Sequence, residues 1–287
     1  MTRDVAASVR TRLKAHADQH REDFNLTLNR YGLERLLYRL SVSRHSDAFL
    51  LKGALLFSLW YEHPHRPTRD ADLLGRGPSD PGTLAKVFQE ICGLSVQDGI
   101  VFQIEAIRAA EIRKTTDYGG VRVDIPATLS GARMALQVDI GFGDAVTPGP
   151  EEVQYPVMLE GMPAPTLRAY PKHTVIAEKL HAICLLGMVN TRLKDYFDLH
   201  VLLERDAPDG MELRRALAAT FQRRGMPLPG QTPAGLTTAF AQDPRTQAQW
   251  KAFLKKNQLD QLNFTAVVSG IREAFAALQW GNTDALG

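Results

Sequence analysis

Asp70 and Asp72 stand one residue apart in "RPTRDADLLG", residues 66–75. If residues 68–74 form a strand, Asp70, Asp72 and Leu74 point to one face, and Arg69, Ala71 and Leu73 to the other. Two like charges on neighbouring same-face positions repel each other. A hard divalent cation, Mg²⁺ or Mn²⁺, offsets that best, because it takes carboxylate oxygens readily. The plainer alternative is a solvent-facing strand end with two hydrated aspartates. A third acid changes the balance. "RMALQVDIGFGD" sets Asp139 among Leu136, Val138 and Ile140, and an acid buried alone in an apolar strand is costly. Asp139 beside Asp70 and Asp72 would complete a site for two metal ions. Such a site steadies both the attacking and the leaving oxygen in a phosphoryl or nucleotidyl displacement. Asp124 in "VRVDIP" is the rival third ligand. Pro126 marks its strand as nearer an edge, so Asp139 ranks ahead.

Further polar groups surround these acids in the chain. "LLKGALL" holds Gly53 and Ala54. Residues this small let a phosphate chain approach backbone N–H groups and the positive end of a helix, although close helix–sheet packing is the simpler reason for them. Ser58, Arg66 and Thr68 precede the aspartates, and Arg66 has the forked donors that grip phosphate oxygens. Much later, "AEKLHAI" holds Glu178 and Lys179, and "RLKDYFDLHVLL" holds Lys194, Asp195 and Asp198. Lys194 and Asp198 lie four apart, share a helix face and suit an ion pair. In the functional alternative, Lys179 reaches a triphosphate, while Asp195 or Asp198 fixes Lys179 or Arg192 or acts near an acceptor hydroxyl.

The elements that must position these residues follow from periodicity. Residues 2–46 read as two helical segments. "HSDAFLLKGALLFSLWY" reads as an apolar helix to Tyr61, with Ser46 or Asp47 as N-cap. "EHPHRP" is a loop, "TRDADLLG" a strand, and "DPGTLAKVFQEIC" a helix with Asp80 as cap and Pro81 in its first turn. "IVFQIEAIRAAEI" reads as one strand. "VRVDIPATL" and "RMALQVDIGFG" read as a hairpin turning at "SGA". Residues 151–171 form a proline-rich connector with some strand character. From Thr174 the chain reads as helical, broken by "GMPLPGQTPAG". The plan is N-terminal helices, an α/β core at residues 47–165 and a helical C-terminal domain. As domains, residues 1–165 and 166–287 are expected to separate.

Composition agrees with an ordinary globular protein: 287 residues, 44% hydrophobic, 23% charged, net charge +2. No window holds eighteen apolar residues without a charge, which argues against a transmembrane helix. The N-terminus has no apolar run of a secretory signal. Cys92 and Cys184 sit in apolar contexts without metal-ligand spacing, as buried thiols of a reducing cytoplasm do. Residues 1–46 hold nine Lys/Arg against five Asp/Glu, and a solvated helix face explains that excess better than phosphate contact does. For the basic residues at 214–215, 223–224, Lys251, Lys255 and Lys256, a solvated face and a phosphate backbone to track explain the charge equally well. A calcium loop is excluded, since Leu74 follows where an oxygen ligand is needed. His63 and His65 lack partners at metal-binding spacing.

The ordered set "FLLKGALLF", "RPTRDADLL", "LQVDIGFGD", "AEKLHAI" and "RLKDYFDLHVLL" resembles the AbiEii/AbiGii-type nucleotidyltransferase toxins, within the DNA-polymerase-β-like nucleotidyltransferase superfamily. The likeness covers most of the chain. It implies an α+β fold, a mixed-sheet nucleotidyltransferase core with N-terminal helices and an appended helical domain. It implies a cytoplasmic toxin that moves a nucleotide from a nucleoside triphosphate to RNA, with transfer RNA 3′ ends as the acceptor of relatives. It also implies an antitoxin partner, often a winged-helix regulator. By motif position, Asp70 and Asp72 hold the metals, Lys179 contacts the nucleotide, and Asp195 or Asp198 is the late essential acid. Thr68 lies where relatives carry a serine or threonine near the phosphates. One departure is Gly53-Ala54 in place of Gly-Gly or Gly-Ser, which removes a hydroxyl from the γ-phosphate's surroundings. Another is the longer spacing from Gly53 to Asp70. Other readings are transfer to a protein hydroxyl or small molecule, or a catalytically silent nucleotide-binding module.

Overall fold

The computed structural model describes residues 2–61, 66–112, 119–206 and 208–278. Two helices come first, α1 (Thr2–His20) and α2 (Phe24–Ser41). Strand β1 (Phe49–Lys52) leads through a tight helical turn, Gly53–Leu56, into the short α3 (Phe57–Trp60). Then come β2 (Asp70–Gly75), α4 (Pro81–Cys92), β3 (Ile100–Phe102), β4 (Arg108–Ile112), β5 (Gly120–Leu129), β6 (Ala132–Phe142), β7 (Glu151–Gln154) and β8 (Thr166–Ala169). The rest is helical: α5 (Lys172–Leu186), α6 (Leu193–Arg205), α7 (Gly210–Arg223), α8 (Thr238–Gln242), α9 (Pro244–Lys256) and α10 (Phe264–Ala276). This is an α+β chain with a mixed sheet.

The chain divides into two compact units. A sheet unit holds Met1–Gly143 and Glu151–Ala169, and a helical unit holds Asp144–Pro150 and Tyr170–Gly287. A cut at 165/166 would sever β8, which pairs with both β1 and β7. The segment Asp144–Pro150 joins the helical unit, where Thr147 and Thr174 exchange hydrogen bonds of 2.9 Å.

In the sheet unit the strand order is β3-β5-β6-β2-β1-β8-β7, with β4 also on β5. β2 pairs parallel with β6 and antiparallel with β1. One face of the central strands is apolar and dry: Leu51, Ala71, Leu73, Val121, Val123, Val138 and Ile140 are all at most 3% exposed. Helix α2 covers it, its Gly32 facing Leu136 and Met134. Burial of this face ties α2 to the sheet and fixes the register, because a one-residue slip would carry the aspartates into the core. Asp98 anchors the same helix, accepting both guanidinium nitrogens of Arg39 at 2.5 and 3.2 Å in a buried pair.

Several expectations are corrected. The helix expected over "HSDAFLLKGALLFSLWY" is a strand followed by a turn. Phe49–Lys52 pairs with β2, and short apolar runs do not distinguish a buried strand from a buried helix. Gly53 then takes φ +74°, outside α-helical space, and opens the tight turn that follows the strand. The single strand expected over residues 100–112 is two, β3 and β4, split by a turn at Ile104–Ala106. β5 is interior, between β6 and the β3/β4 pair; Pro126 sits where β3 ends and β4 has not begun. The β5–β6 hairpin forms as expected and turns on Ser130 and Gly131, both at positive φ (45° and 81°), the geometry that matches strand twist. Asp80 caps α4 through Thr83 N at 2.8 Å. His63 and His65 lie outside the described residues.

The helical unit is organised around α5 and α6. Tyr196 and Phe197 of α6 are buried and meet Phe240, Phe264 and Trp250 at ring separations of 5.3 to 6.3 Å. Tyr196 also donates its hydroxyl to the Gly235 carbonyl at 2.9 Å. Among the described residues no helix is long and apolar enough to cross a membrane.

Candidate active site

The register of four strands builds the polar face of the sheet. Lys52 of β1 is the partner of Asp72, Asp72 of Asp139, and Asp139 of Arg122. Neighbouring strands lie about 4.8 Å apart, so this row runs cation, anion, anion, cation. The next row is Asp70, Gln137, Asp124 and Arg108. All these side chains share one face because strand positions alternate. Asp70, Asp72 and Asp139 are half-buried, while Asp124 is exposed. The structure thus brings the three expected carboxylates onto one face of two adjacent parallel strands.

Their partners differ. Arg122 grips Asp139 with a fork, Nε to Oδ1 and Nη2 to Oδ2, both 2.8 Å. The pair is charge-assisted in both directions. Hydrogen bonding to Asp139, and the fields of Asp139, Asp124 and Asp70, push the Arg122 pKa above its ordinary value. Gln137, with its amide turned, adds an acceptor 2.9 Å from both Arg122 nitrogens. Thr68 donates its hydroxyl to Asp70 Oδ1 at 2.8 Å, which orients that carboxylate. Gly53 backs directly onto Asp72. A Cβ at Gly53 would lie 2.1 Å from Asp72 Oδ2, and the backbone φ of +74° also disfavours any side chain there. Only backbone fits beside that carboxylate.

The remaining expected residues are placed as follows. Ala54 continues the turn after Gly53. Ser58 hydrogen-bonds the buried Tyr155. Arg66 begins the segment that leads into β2 and is half-buried. In the helical unit, Lys179 of α5 donates to Asp195 Oδ1 at 3.0 Å and to Asp198 Oδ2 at 2.6 Å, both on α6. Asp195 and Asp198 are at most 1% exposed. Arg192 Nε lies 2.8 Å from the second Asp195 oxygen, a charge contact without hydrogen-bond geometry. The expected Lys194–Asp198 pair does not form. Lys194 is exposed, whereas Asp198 turns inward to Lys179. Arg224, expected either on a solvated helix face or along a phosphate backbone, is instead tied to Asp144 at 3.0 Å and Glu178 at 2.9 Å. Four residues of these two rows escaped the sequence reading, Lys52, Arg122, Gln137 and Arg108. The alternation in "VRVDIP" puts Arg122 on the face of Asp124, but its partner Asp139 is set by cross-strand register alone.

The scan for families settles the class. The model of the "Nucleotidyl transferase AbiEii toxin, Type IV TA system" family matches residues 35–277. The chain belongs to this family. It is therefore a member of a type IV toxin–antitoxin nucleotidyltransferase family. Two solved structures align with it. One is a crystal structure from H. pylori provisionally named as a nucleotidyltransferase, at 19% identity, covering 88% of this chain and 94% of that one, with a TM-score of 0.48. The other is JHP933 from Helicobacter pylori, at 17% identity, covering 88% and 91%, also with a TM-score of 0.48. No curated protein matches.

A hard cation would find oxygen donors here, but not an assembled cage. Among the described residues no three of His, Cys, Asp and Glu are grouped to hold a metal ion. Asp70 and Asp72 fit such an ion by chemistry: two carboxylates on one half-exposed face. Asp139 has both oxygens occupied by Arg122 and would join only by exchanging that partner.

Proposed function

We propose that this family member transfers a nucleotide from a nucleoside triphosphate to the 3′-hydroxyl of an RNA, with the transfer RNA 3′ end as its acceptor. The hydroxyl oxygen bonds to the α-phosphorus, the bond to the bridging oxygen breaks, pyrophosphate leaves, and the hydroxyl proton passes to water. The observation that carries the reading is Gly53 against Asp72. The Asp72 carboxylate excludes any side chain at Gly53, so bare backbone meets the carboxylate face along which a phosphate chain would pass. Mg²⁺ or Mn²⁺ held by Asp70 and Asp72, and by Asp139 once released, would supply charge neutralisation and a lower hydroxyl pKa. The chain's own groups do the rest. Thr68 holds Asp70 in its orientation. Arg122 keeps Asp139 on the face and supplies a guanidinium for phosphate oxygens. Lys52 stands in the row beside Asp72, where negative charge builds on the leaving group.

Under this reading the protein is a toxin that arrests growth, and its partner is an antitoxin of the winged-helix regulator kind. The test incubates the purified chain with each α-labelled nucleoside triphosphate and total RNA. Label should enter RNA, and Asp70→Asn should lower the rate by about a thousandfold, the loss of several kcal/mol of charge stabilisation. Label on protein or a small molecule instead, or wild-type rates in Asp70→Asn, overturns the reading.

A further inference from the structure

A cavity of about 740 Å³ opens on the sheet unit beside Asp70. Its wall includes Asp70 and Gln137 of the polar face, Arg69 just before β2, Arg133 of β6, and Asn25 and Asn29 of α2. It exists because the hairpin outruns its neighbour. β6 begins at Ala132, but its partner β2 begins only opposite Gln137. The uncovered stretch of β6 and the start of α2 therefore leave a recess that ends on the first catalytic aspartate.

The lining has the chemistry of a nucleotide site. Arg69 and Arg133 are exposed, and neither makes a hydrogen bond or ion pair among the described residues. Arginines left unpaired at a carboxylate-containing recess suit an incoming anion. Asn29 Oδ1 is buried without a hydrogen-bond partner, while its amide nitrogen reaches the Ala135 carbonyl only at 3.4 Å. An orphaned acceptor of this kind is costly, and a turn of the Asn29 side chain into the recess would bring it to a ligand donor. Asn25 and Gln137 add amides, which read the edges of unstacked bases as arginines hold phosphates. The volume falls within the range of roughly 300–1,000 Å³ typical of small-molecule sites.

Position decides which nucleotide. An in-line displacement puts the attacking and leaving oxygens on opposite sides of the phosphorus. Gly53 and Lys52 adjoin Asp72, and Asp70 lies about 7 Å further along the strand. The cavity is lined by Asp70 and not by Asp72. We infer that this recess holds the 3′-terminal nucleotide of the single-stranded RNA acceptor, with Arg69 and Arg133 on its phosphates and Asn29 on a base donor, while the triphosphate lies at the Gly53 end. The inference rests on the proposed RNA acceptor and adds where that acceptor binds.

The experiment uses the full chain, a 5′-fluorescein-labelled single-stranded 12-nucleotide RNA, and the double variant Arg69→Ala/Arg133→Ala. Both side chains are on the surface, and circular dichroism confirms the fold. RNA affinity by anisotropy should fall at least tenfold. Two lost phosphate contacts should also make the slope of log affinity against log salt shallower by about 1.4. Nucleoside triphosphate affinity should not change. Asn29→Ala should alter the preference for the terminal base without changing the salt slope. Unchanged RNA affinity and slope in the double variant, with RNA transfer intact in the native chain, overturns the cavity assignment alone. So does an equal loss of triphosphate binding, which would make the recess the donor's. No transfer to any RNA by the native chain instead sinks the proposed function itself.

Discussion

Two pairs of aspartates, one in each unit, meet opposite fates. On α6, Asp195 and Asp198 are buried, and one ammonium, Lys179, bonds to both. On β2, Asp70 and Asp72 stay half-exposed on a sheet face where Arg122 is committed to Asp139. The helical pair is closed. Its charges are compensated within the fold, and removing a partner leaves a charge stranded away from water. The sheet pair is open. Water screens its repulsion, and a ligand can exchange with what is there. Like charges placed together are thus held in two ways, sealed by a buried counter-ion on α6 and left in reach of solvent on β2.

That contrast can be broken from its largest effect downwards. Lys179→Met strands two buried carboxylates and should cost about 3–5 kcal/mol in urea unfolding. Asp70→Asn, on the open face, should change stability by no more than about 0.5 kcal/mol. Equal losses would erase the distinction between closed and open pairs. Gly53→Ala comes next. It strains a backbone at φ +74° and drives a methyl into Asp72, so stability should fall by about 1–3 kcal/mol, with nucleotide transfer down at least a hundredfold. Retention of full activity would mean the Gly53 approach to Asp72 has no part in the chemistry.

Acid should separate the units further. Burial, helped by Arg224, lowers the His181 pKa to about 4 against the pull of Asp144. The unfolded chain therefore binds a proton near pH 6.5 that the folded chain refuses until about pH 4. Stability is present above pH 6.5 and is lost as pH falls through this window. A His181→Gln variant should show a shallower decline in melting temperature between pH 7 and 4.5, and an unaltered profile would remove His181 as the cause. The smallest effect tests the exchange at Asp139. Arg122→Ala should tighten Mn²⁺ binding a few-fold in calorimetry without nucleotide, because a surface pair worth about 0.5–1 kcal/mol no longer competes. Weaker or unchanged Mn²⁺ binding would show that guanidinium and cation do not contend for that carboxylate.

Local pattern carried much of this molecule. Alternation in "RPTRDADLLG" puts Asp70 and Asp72 on one face, since strand periodicity is a property of the backbone alone. The Asp80 cap, the hairpin turn and the apolar helices of the second half were legible for the same reason: each rests on contacts within a few residues. "FLLKGALLF" failed because four apolar residues suit a buried strand or a buried helix equally, and pairing with β2 decides between them.

What the sequence determined by itself was the inventory: three acids at strand spacing, a glycine ahead of them, and a lysine with two late acids in helices. The tertiary structure decided who meets whom. Register set Asp139 beside Asp72, gave it to Arg122 and left a recess where β6 outruns β2, while the packing of α5 on α6 turned Asp198 from Lys194 to Lys179. Those outcomes depend on cross-strand alignment and burial between residues distant in the chain, and such free energies are not written in any short stretch of it.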